Sequence, residues 1–202
     1  MWCESADVHP SVVAHEDSAI WHLAQVRENA EICSGVVIGR GAYIGVGVRV
    51  GANSKIQNFA QVYEPAEIGA GVFIGPAAVL TNDQYPRAVK PNGTKKSTSD
   101  WDPVGVQVLE GASVGARAVC VAPVTIGRWS MVAAGAVVVS DVPDFALVVG
   151  VPARRIGWVG RQGARLVRVS TSNDLWECPI TLLGYRQVSP EMLIEITNAA
   201  GD

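Results

Sequence analysis

The chain has 202 residues, a formal net charge of −3 and a pI near 5.6, and 49% of its residues are hydrophobic. A chain of this length can bury a core without disulfide or metal support. Its weak negative charge offers no electrostatic footprint for nucleic acid or for an anionic membrane, so we expect neither as a partner. We expect a cytoplasmic protein, because the sequence shows no apolar signal region and no run of ~18 apolar residues.

A hexapeptide period runs through most of the chain. An aliphatic or small apolar residue recurs at every sixth position from Val8 to Leu80 and again from Val108 to Val138, and small or β-branched residues follow four positions later up to Ala78. This period fits neither a helix nor an open sheet, but it is typical of a parallel β-helix with three hexads in each triangular turn. The sequence therefore predicts an all-β chain of about seven stacked turns, with residues 18 apart in register.

The cysteines do not form a metal-ligand or disulfide pattern. Cys3, Cys33, Cys120 and Cys178 are widely separated, and Cys120 occupies an inward hexad position. We therefore expect Cys120 to be a small buried hydrophobe.

The period breaks once, between Leu80 and Val108. These two residues are 28 positions apart, whereas one turn of the β-helix takes 18. We therefore predict an excursion loop at about residues 83–105 that adds about ten residues. The loop is polar, rich in Pro and Gly, and contains cations and aromatics; Lys95, Lys96 or Trp101 could contact a diphosphate or stack on a base. A tolerated surface insertion is the alternative.

The segment after the last hexad carries recognisable motifs, and others lie within the hexads. The motifs are Asp141-Val142-Pro143, Gly150-Val151-Pro152-Ala153-Arg154, Ile156-Gly157-Trp158, Ile20-Trp21-His22, Lys55-Ile56-Gln57-Asn58, Thr81-Asn82 and Pro86-Arg87-Ala88. Together with the hexads they resemble the hexapeptide-repeat acyltransferases, and among these the sugar-nucleotide 3-amino N-acetyltransferases of surface-polysaccharide (lipopolysaccharide) synthesis. The resemblance covers residues 8–160. We therefore divide the chain into a hexapeptide-repeat domain (1–160) and a tail (161–202) that packs on the helix or on a neighbouring subunit.

The resemblance implies a left-handed β-helix, a homotrimer, and acetyl-CoA in the groove between two prisms. The implied reaction transfers the acetyl group to the amine of a UDP- or dTDP-linked amino sugar, with C3 favoured and C4 left open, and it needs no metal. The expected cofactor contacts are backbone groups of Ala116, Ala133 and Ala134, the adenosine-binding residues Val151 and Pro152, and Arg154 or Arg155 near phosphate oxygens.

The three histidines, His9, His15 and His22, all fall in the first turns, far from the late turns expected to hold acetyl-CoA. This distribution favours direct attack by the sugar amine without a histidine base, and it argues against a three-histidine metal site of the anhydrase kind.

The candidate site residues follow from the resemblance and from the 18-residue register. The catalytic candidates are Asn82, Asp83 and Glu64, and the substrate-binding candidates are Asn58, Gln57, His22, Tyr85 and Arg87. Asn82 could instead be a turn residue with left-handed backbone, and Asn58 a structural ladder residue. Two other functions stay open: an acyltransferase for another small amine or hydroxyl, and a non-catalytic repeat scaffold.

Overall fold

The computed structural model describes residues 1–170 and 172–196; the last six residues of the expected tail lie outside this range. The strands of the repeat region are β1 (Asp7–Val8), β2 (Val13–Ala14), β3 (Ala19–Ile20), β4 (Gln25–Val26), β5 (Glu31–Ile32), β6 (Val37–Ile38), β7 (Tyr43–Ile44), β8 (Arg49–Val50), β9 (Lys55–Ile56), β10 (Gln61–Val62), β11 (Glu67–Ile68), β12 (Phe73–Ile74), β13 (Val79–Leu80), β14 (Val106–Val108), β15 (Ser113–Val114), β16 (Val119–Cys120), β17 (Val124–Ile126), β18 (Met131–Val132), β19 (Val137–Val138), β20 (Ala146–Val149) and β21 (Arg154–Trp158). The tail strands are β22 (Val167–Arg168), β23 (Leu175–Glu177), β24 (Gly184–Ser189) and β25 (Met192–Glu195). One turn of 3-10 helix, Thr98–Asp100, lies in the excursion loop.

These strands form the three faces of a left-handed parallel β-helix, which confirms the predicted all-β architecture, with about 8 turns where about seven were predicted. Every third strand belongs to the same face, so the first sheet runs from β1 through β4 to β19, and the second from β2 to β17. The third runs from β3 to β20 and ends with β21, which pairs antiparallel to β20. The predicted 18-residue register holds in the early turns, where Gln61 pairs with Val79 and Val37 with Lys55.

The hexad residues form a continuous core along the axis. From Ile20 to Val138 each inward hexad residue is at most 2% exposed, and the small residues from Ser18 to Ala78 are buried beside them. Burial of one such aliphatic side chain contributes about 1.5–3 kcal/mol, so the stack supplies most of the stability. Cys120 lies in this row, as predicted, and burial raises the pKa of its thiol to about 12.

Most corners are tight turns with one residue in the left-handed region. This residue follows three positions after the inward aliphatic, and it is Gly at some corners and a larger residue at others, such as Phe59 at φ 61°. At Gly41 (φ 63°) a larger residue would clash with the next turn, because a Cβ there would lie 2.7 Å from the ring of Phe59, which stacks on it. Glycine at 41 therefore makes room for an aromatic at 59.

The excursion loop is longer than predicted. Ile68 pairs with Val108, 40 residues later, so 22 residues are added to the 18 of a regular turn, and the expectation of about ten was wrong. Val108 belongs to the second sheet, which follows β13 after a single corner rather than after a whole turn. The loop leaves the prism after Thr81 and rejoins it at β14.

The described part of the tail packs on the last turn of the prism. Its four antiparallel strands contribute Tyr185 and Leu193 to the same apolar cluster as the prism core. The ring of Tyr185 meets Phe145 edge-on at 5.4 Å, and its hydroxyl accepts the N–H of Arg161 at 3.2 Å. Among the described residues, no helix is long and apolar enough to cross a membrane.

Candidate functional site

The first and third corners of the prism carry different functional residues. The first corner follows the first sheet and carries Glu64, Asn82 and the excursion loop; the third corner follows the third sheet and carries Asn58 and Ala134. The two corners are separated by the first face of the prism. The structure therefore divides the predicted site residues into two groups on one chain.

A cavity of about 280 Å³ opens at the first corner, at the base of the excursion loop. It is lined by Tyr63, Thr81, Asn82, Asp83, Gln84, Pro86 and Val121. The Thr81 hydroxyl accepts the N–H of Ala122 at 3.0 Å, which fastens one wall to the following turn. Two of the three predicted catalytic residues, Asn82 and Asp83, thus line a single cavity.

Asn82 forms the base of the loop with its backbone and leaves its side chain available. Its carbonyl accepts the N–H of Val104 at 3.0 Å, which closes the loop. In residues 1–170 and 172–196, no hydrogen bond engages its side-chain amide. Asn82 is absent from the residues with positive φ, so the left-handed turn role does not explain an asparagine here.

Glu64 lies one turn below Asn82. Its Oε2 atom is buried and has no hydrogen-bond partner among the described residues. The carboxylate lies against the backbone of Gly45, where a Cβ would overlap with it. Its negative charge contributes, after burial, to raising the pKa of Tyr43, and the Tyr43 ring packs 5.1 Å from that of Tyr63. A buried carboxylate oxygen without a donor is costly unless a ligand supplies one.

The remaining loop candidates are less constrained. Asp83 lines the first-corner cavity, and its Oδ1 accepts the N–H of Tyr85 at 2.8 Å. The Tyr85 side chain is 74% exposed, and the Arg87 guanidinium donates to the neighbouring Pro86 carbonyl at 2.9 Å, its one bond within the described part of the chain. Both can therefore reach a ligand or a second chain without breaking a contact in the prism.

The third corner holds His22, Gln57 and Asn58, away from the first-corner cavity. Asn58 Oδ1 accepts the N–H of Arg40 at 2.9 Å, and His22 Nδ1 is 2.9 Å from the Ser5 hydroxyl. Both contacts join neighbouring turns, so they favour the structural alternative for Asn58 and His22. Gln57 is half-buried, and its side chain makes no hydrogen bond among the described residues.

The late turns of the third corner present backbone rather than side chains. Ala116 and Ala134 are small, and no hydrogen bond from a described residue engages either backbone N–H. By contrast, Ala133 donates its N–H to the Val148 carbonyl at 2.9 Å. Two open N–H groups one turn apart suit the amide carbonyls of an extended ligand arm.

The two predicted arginines differ in their contacts. Arg155 donates to the Pro190 carbonyl at 2.6 Å, and its guanidinium lies 4.2 Å from the ring centroid of Trp158. Arg154 is exposed, and among the described residues its guanidinium bonds the carbonyl of Ala153 alone. Arg155 thus holds the tail in place, whereas Arg154 is available beside the exposed Val151 and Pro152.

Sequence reasoning missed Tyr63 and Gln84 as cavity residues. Tyr63 precedes Thr81 by 18 positions, so the register that paired Glu64 with Asn82 also places Tyr63 at the cavity. Gln84 lies inside the loop, where the hexad register gives no information. All three histidines lie in the early turns and contact Ser5, Ser11 or Asp17.

Comparison with known proteins agrees with the fold. Residues 47–82 match the family model described as bacterial transferase hexapeptide (six repeats). These residues carry the hexapeptide repeat of that family model. It is 54% identical over 52 residues to dTDP-3-amino-3,6-dideoxy-alpha-D-galactopyranose 3-N-acetyltransferase of Aneurinibacillus thermoaerophilus, covering 26% of this chain and 27% of that protein.

A longer match of this chain is to the bifunctional protein GlmU of Jannaschia sp., at 33% identity over 153 residues. It covers 72% of this chain and 33% of GlmU, so the chain spans about a third or less of the curated relatives named here. The fold is shared with a point mutant of AntD, an N-acyltransferase from Bacillus cereus solved with dTDP and coenzyme A: TM-score 0.50, 18% identity, and coverage of 80% of this chain and 82% of AntD.

Proposed function

We propose that this chain is an N-acetyltransferase that moves the acetyl group of acetyl-CoA to the amine, at C3, of a dTDP-linked amino sugar in the cytoplasm. The first-corner cavity carries the proposal, because it is lined by Asn82, whose side-chain amide is open, and by the carboxylate of Asp83. Glu64 lies one turn below Asn82 and outside this lining. The strong local identity to a dTDP-3-amino sugar N-acetyltransferase supports dTDP and the C3 amine.

In the proposed reaction the sugar amine attacks the thioester carbonyl carbon directly. The new C–N bond forms as the C–S bond breaks, and the amine proton passes to Glu64, to Asp83 or to the departing thiolate. The Asn82 amide donates to the carbonyl oxygen as charge develops on it, or holds the amine in line. The Asn82 amide would lower the barrier by holding the reacting groups in place, and the proposed reaction uses no metal.

The two groups of site residues support a homotrimer with a shared groove. The open N–H groups of Ala116 and Ala134 would bind the pantetheine arm, and Arg154 a phosphate. These residues lie on the third corner, whereas Asn82 lies on the first. A parallel neighbour that brings its first corner to this third corner would complete one site per interface.

The test is thiol release from acetyl-CoA against dTDP- and UDP-linked 3-amino and 4-amino sugars, with serine and simple amines as further acceptors. Release with a dTDP-linked 3-amino sugar is expected. Release with serine alone would assign a hydroxyl acceptor. Absence of release with every acceptor, together with no calorimetric binding of acetyl-CoA, would refute the transferase and leave a repeat scaffold.

A further inference from the structure

The excursion loop encloses a second cavity, of about 260 Å³. Carboxylates and aromatic rings predominate among its lining residues, which are Asp83, Gln84, Tyr85, Lys96, Asp100, Trp101, Asp102 and Val104. The volume is below the range of about 300–1,000 Å³ that is typical of small-molecule sites. The cavity therefore suits one inserted side chain better than a whole ligand.

One of the carboxylates, Asp100, is already compensated from within the loop. Lys90 forms an ion pair with Asp100 at 2.6 Å, and Ser97 donates both its N–H and its hydroxyl to the same carboxylate, at 2.8 and 2.7 Å. These donors, Lys90 first, hold the pKa of Asp100 below its usual value. Asp100 thus organises the loop and has no need of a further cation.

The other charges of the cavity do not balance. Asp83 and Asp102 contribute two carboxylates, whereas Lys96 contributes one ammonium. The Asp83 carboxylate accepts a backbone N–H, from Tyr85, which brings no full charge. Within residues 1–170 and 172–196, no ion pair or hydrogen bond engages the side chain of Asp102 or the ammonium of Lys96. The cavity therefore keeps an excess of negative charge, which favours a cation over a phosphate.

The aromatic rings of the cavity narrow the choice of cation. Trp101 is half-buried and Tyr85 is exposed, and both contribute to the wall. A guanidinium stacks on an aromatic face and donates from a planar fork to carboxylate oxygens, whereas an ammonium is a compact point charge. The same chain stacks Arg155 on Trp158, with 4.2 Å between the guanidinium and the ring centroid. An arginine side chain therefore matches both the rings and the carboxylates.

The third corner carries an arginine close to the height of the loop. Arg117 is exposed, and its backbone N–H donates to the Pro76 carbonyl of the turn below. Among the described residues, no ion pair or hydrogen bond engages its guanidinium. By the register of the first sheet, Arg117 lies one turn above Ala77, which precedes Asn82 by five residues. Since one turn rises about 4.8 Å, Arg117 lies within about 5 Å, along the prism axis, of the level at which the loop begins.

We propose that the cavity of the excursion loop receives Arg117 of a neighbouring chain, whose guanidinium pairs with Asp102 and stacks on Trp101. A second copy is needed, because the first face of the prism separates the loop from the Arg117 of its own chain. This inference rests on the proposed homotrimer, in which the first corner of one chain meets the third corner of the next. Since Asp83 lines both cavities, the docked arginine fixes the wall that the first-corner cavity shares with the loop.

A double-mutant cycle on the full chain tests the pair without any substrate. The dissociation constant of the trimer is measured by sedimentation, with added urea if dilution alone does not dissociate it. Arg117→Met and Asp102→Asn should each raise this constant by about tenfold or more, because three pairs are lost together. The double variant should dissociate no more readily than the weaker of the two single variants. Exchange of the charges, Arg117→Asp with Asp102→Arg, should recover most of the affinity.

Arg40→Met is the matched control, because Arg40 is an exposed arginine on the same corner, three turns below Arg117. Its dissociation constant should stay within about twofold of that of the parent chain. Additive effects of Arg117→Met and Asp102→Asn, no effect of either, or an equal effect of Arg40→Met would overturn the inference. A chain that is monomeric at every concentration would also overturn it.

Kinetics then separate this inference from the proposed function. If Asp102→Asn leaves the trimer intact and instead raises the KM for the amino sugar, the cavity receives the amine of the acceptor, and the inference fails. Coupling of Asp102 and Arg117 in a trimer that releases no thiol would uphold the pair and refute the transferase. Thiol release by a trimer without this coupling would uphold the transferase and overturn the pair.

Discussion

Replacing Glu64 with methionine removes a buried oxygen that has no donor, so we expect Glu64→Met to gain stability and lose activity. An unsatisfied buried acceptor costs about 1–3 kcal/mol. Only Oε2 is both buried and unpaired, and the residue as a whole is half-buried, so we take the lower end, about 1 kcal/mol. For a chain of this size that corresponds to a rise in Tm of about 2–4 °C. Methionine keeps the length of the side chain and can pack over Gly45.

The assay for Glu64→Met pairs thermal unfolding with thiol release. Turnover with the amino sugar should fall by at least about tenfold, because the proposed reaction loses a carboxylate that can accept the amine proton one turn below Asn82. The pKa of Tyr43, raised by burial and then by the charge of Glu64, should fall in the variant, which NMR of labelled tyrosine can follow. A variant that is less stable and fully active would refute the reasoning, because Glu64 would then be a structural residue.

Three further substitutions test the site and the core. Asn82→Ala should lower kcat by about tenfold or more, a loss of about 1.4 kcal/mol per decade, with unchanged unfolding; unchanged turnover would make Asn82 a structural residue of the loop. Ile74→Ala removes a side chain that is 0% exposed and should cost about 2–5 kcal/mol in urea unfolding; a smaller loss would mean that the neighbouring turns close the cavity. Arg154→Met should raise the KM for acetyl-CoA by about threefold or more without lowering Tm, whereas Arg155→Met should lower Tm because it frees the tail from Pro190; the reverse pattern would exchange their roles.

The period of six determined the architecture and the core from sequence, but it could not determine the loop length. Residues of one hexad phase are equivalent on all three faces, so the phase of Val108 is the same whether it lies one corner or one whole turn after Leu80. Only the pairing of Val108 with Ile68 decides between ten and 22 added residues. Side-chain pattern gives the position within a face, whereas the order of faces comes from hydrogen bonding.

The same arithmetic explains which site residues could be grouped from sequence. Glu64 and Asn82 are 18 apart, so their stacking on one corner was predictable. Asn58 and Asn82 are 24 apart, a full turn plus one face, and the structure accordingly places them on different corners. The burial of a Glu64 oxygen without a donor was not predictable, because it depends on how the side chain lies over Gly45 and beside Tyr43.

The separation of first and third corners leads to a test of the shared groove by mixing inactive variants. Asn82→Ala disables the first corner, and Ala134→Phe places a bulky ring over the open N–H of the exposed third-corner turn. If each site combines the first corner of one chain with the third corner of its neighbour, random co-assembly of equal amounts leaves both halves intact in about a quarter of the sites. Activity of the refolded mixture should therefore rise to about a quarter of the parent value, above the residual activity of either variant alone. If both halves came from one chain, every site in the mixture would contain a defect, and activity would stay at the level of the separate variants.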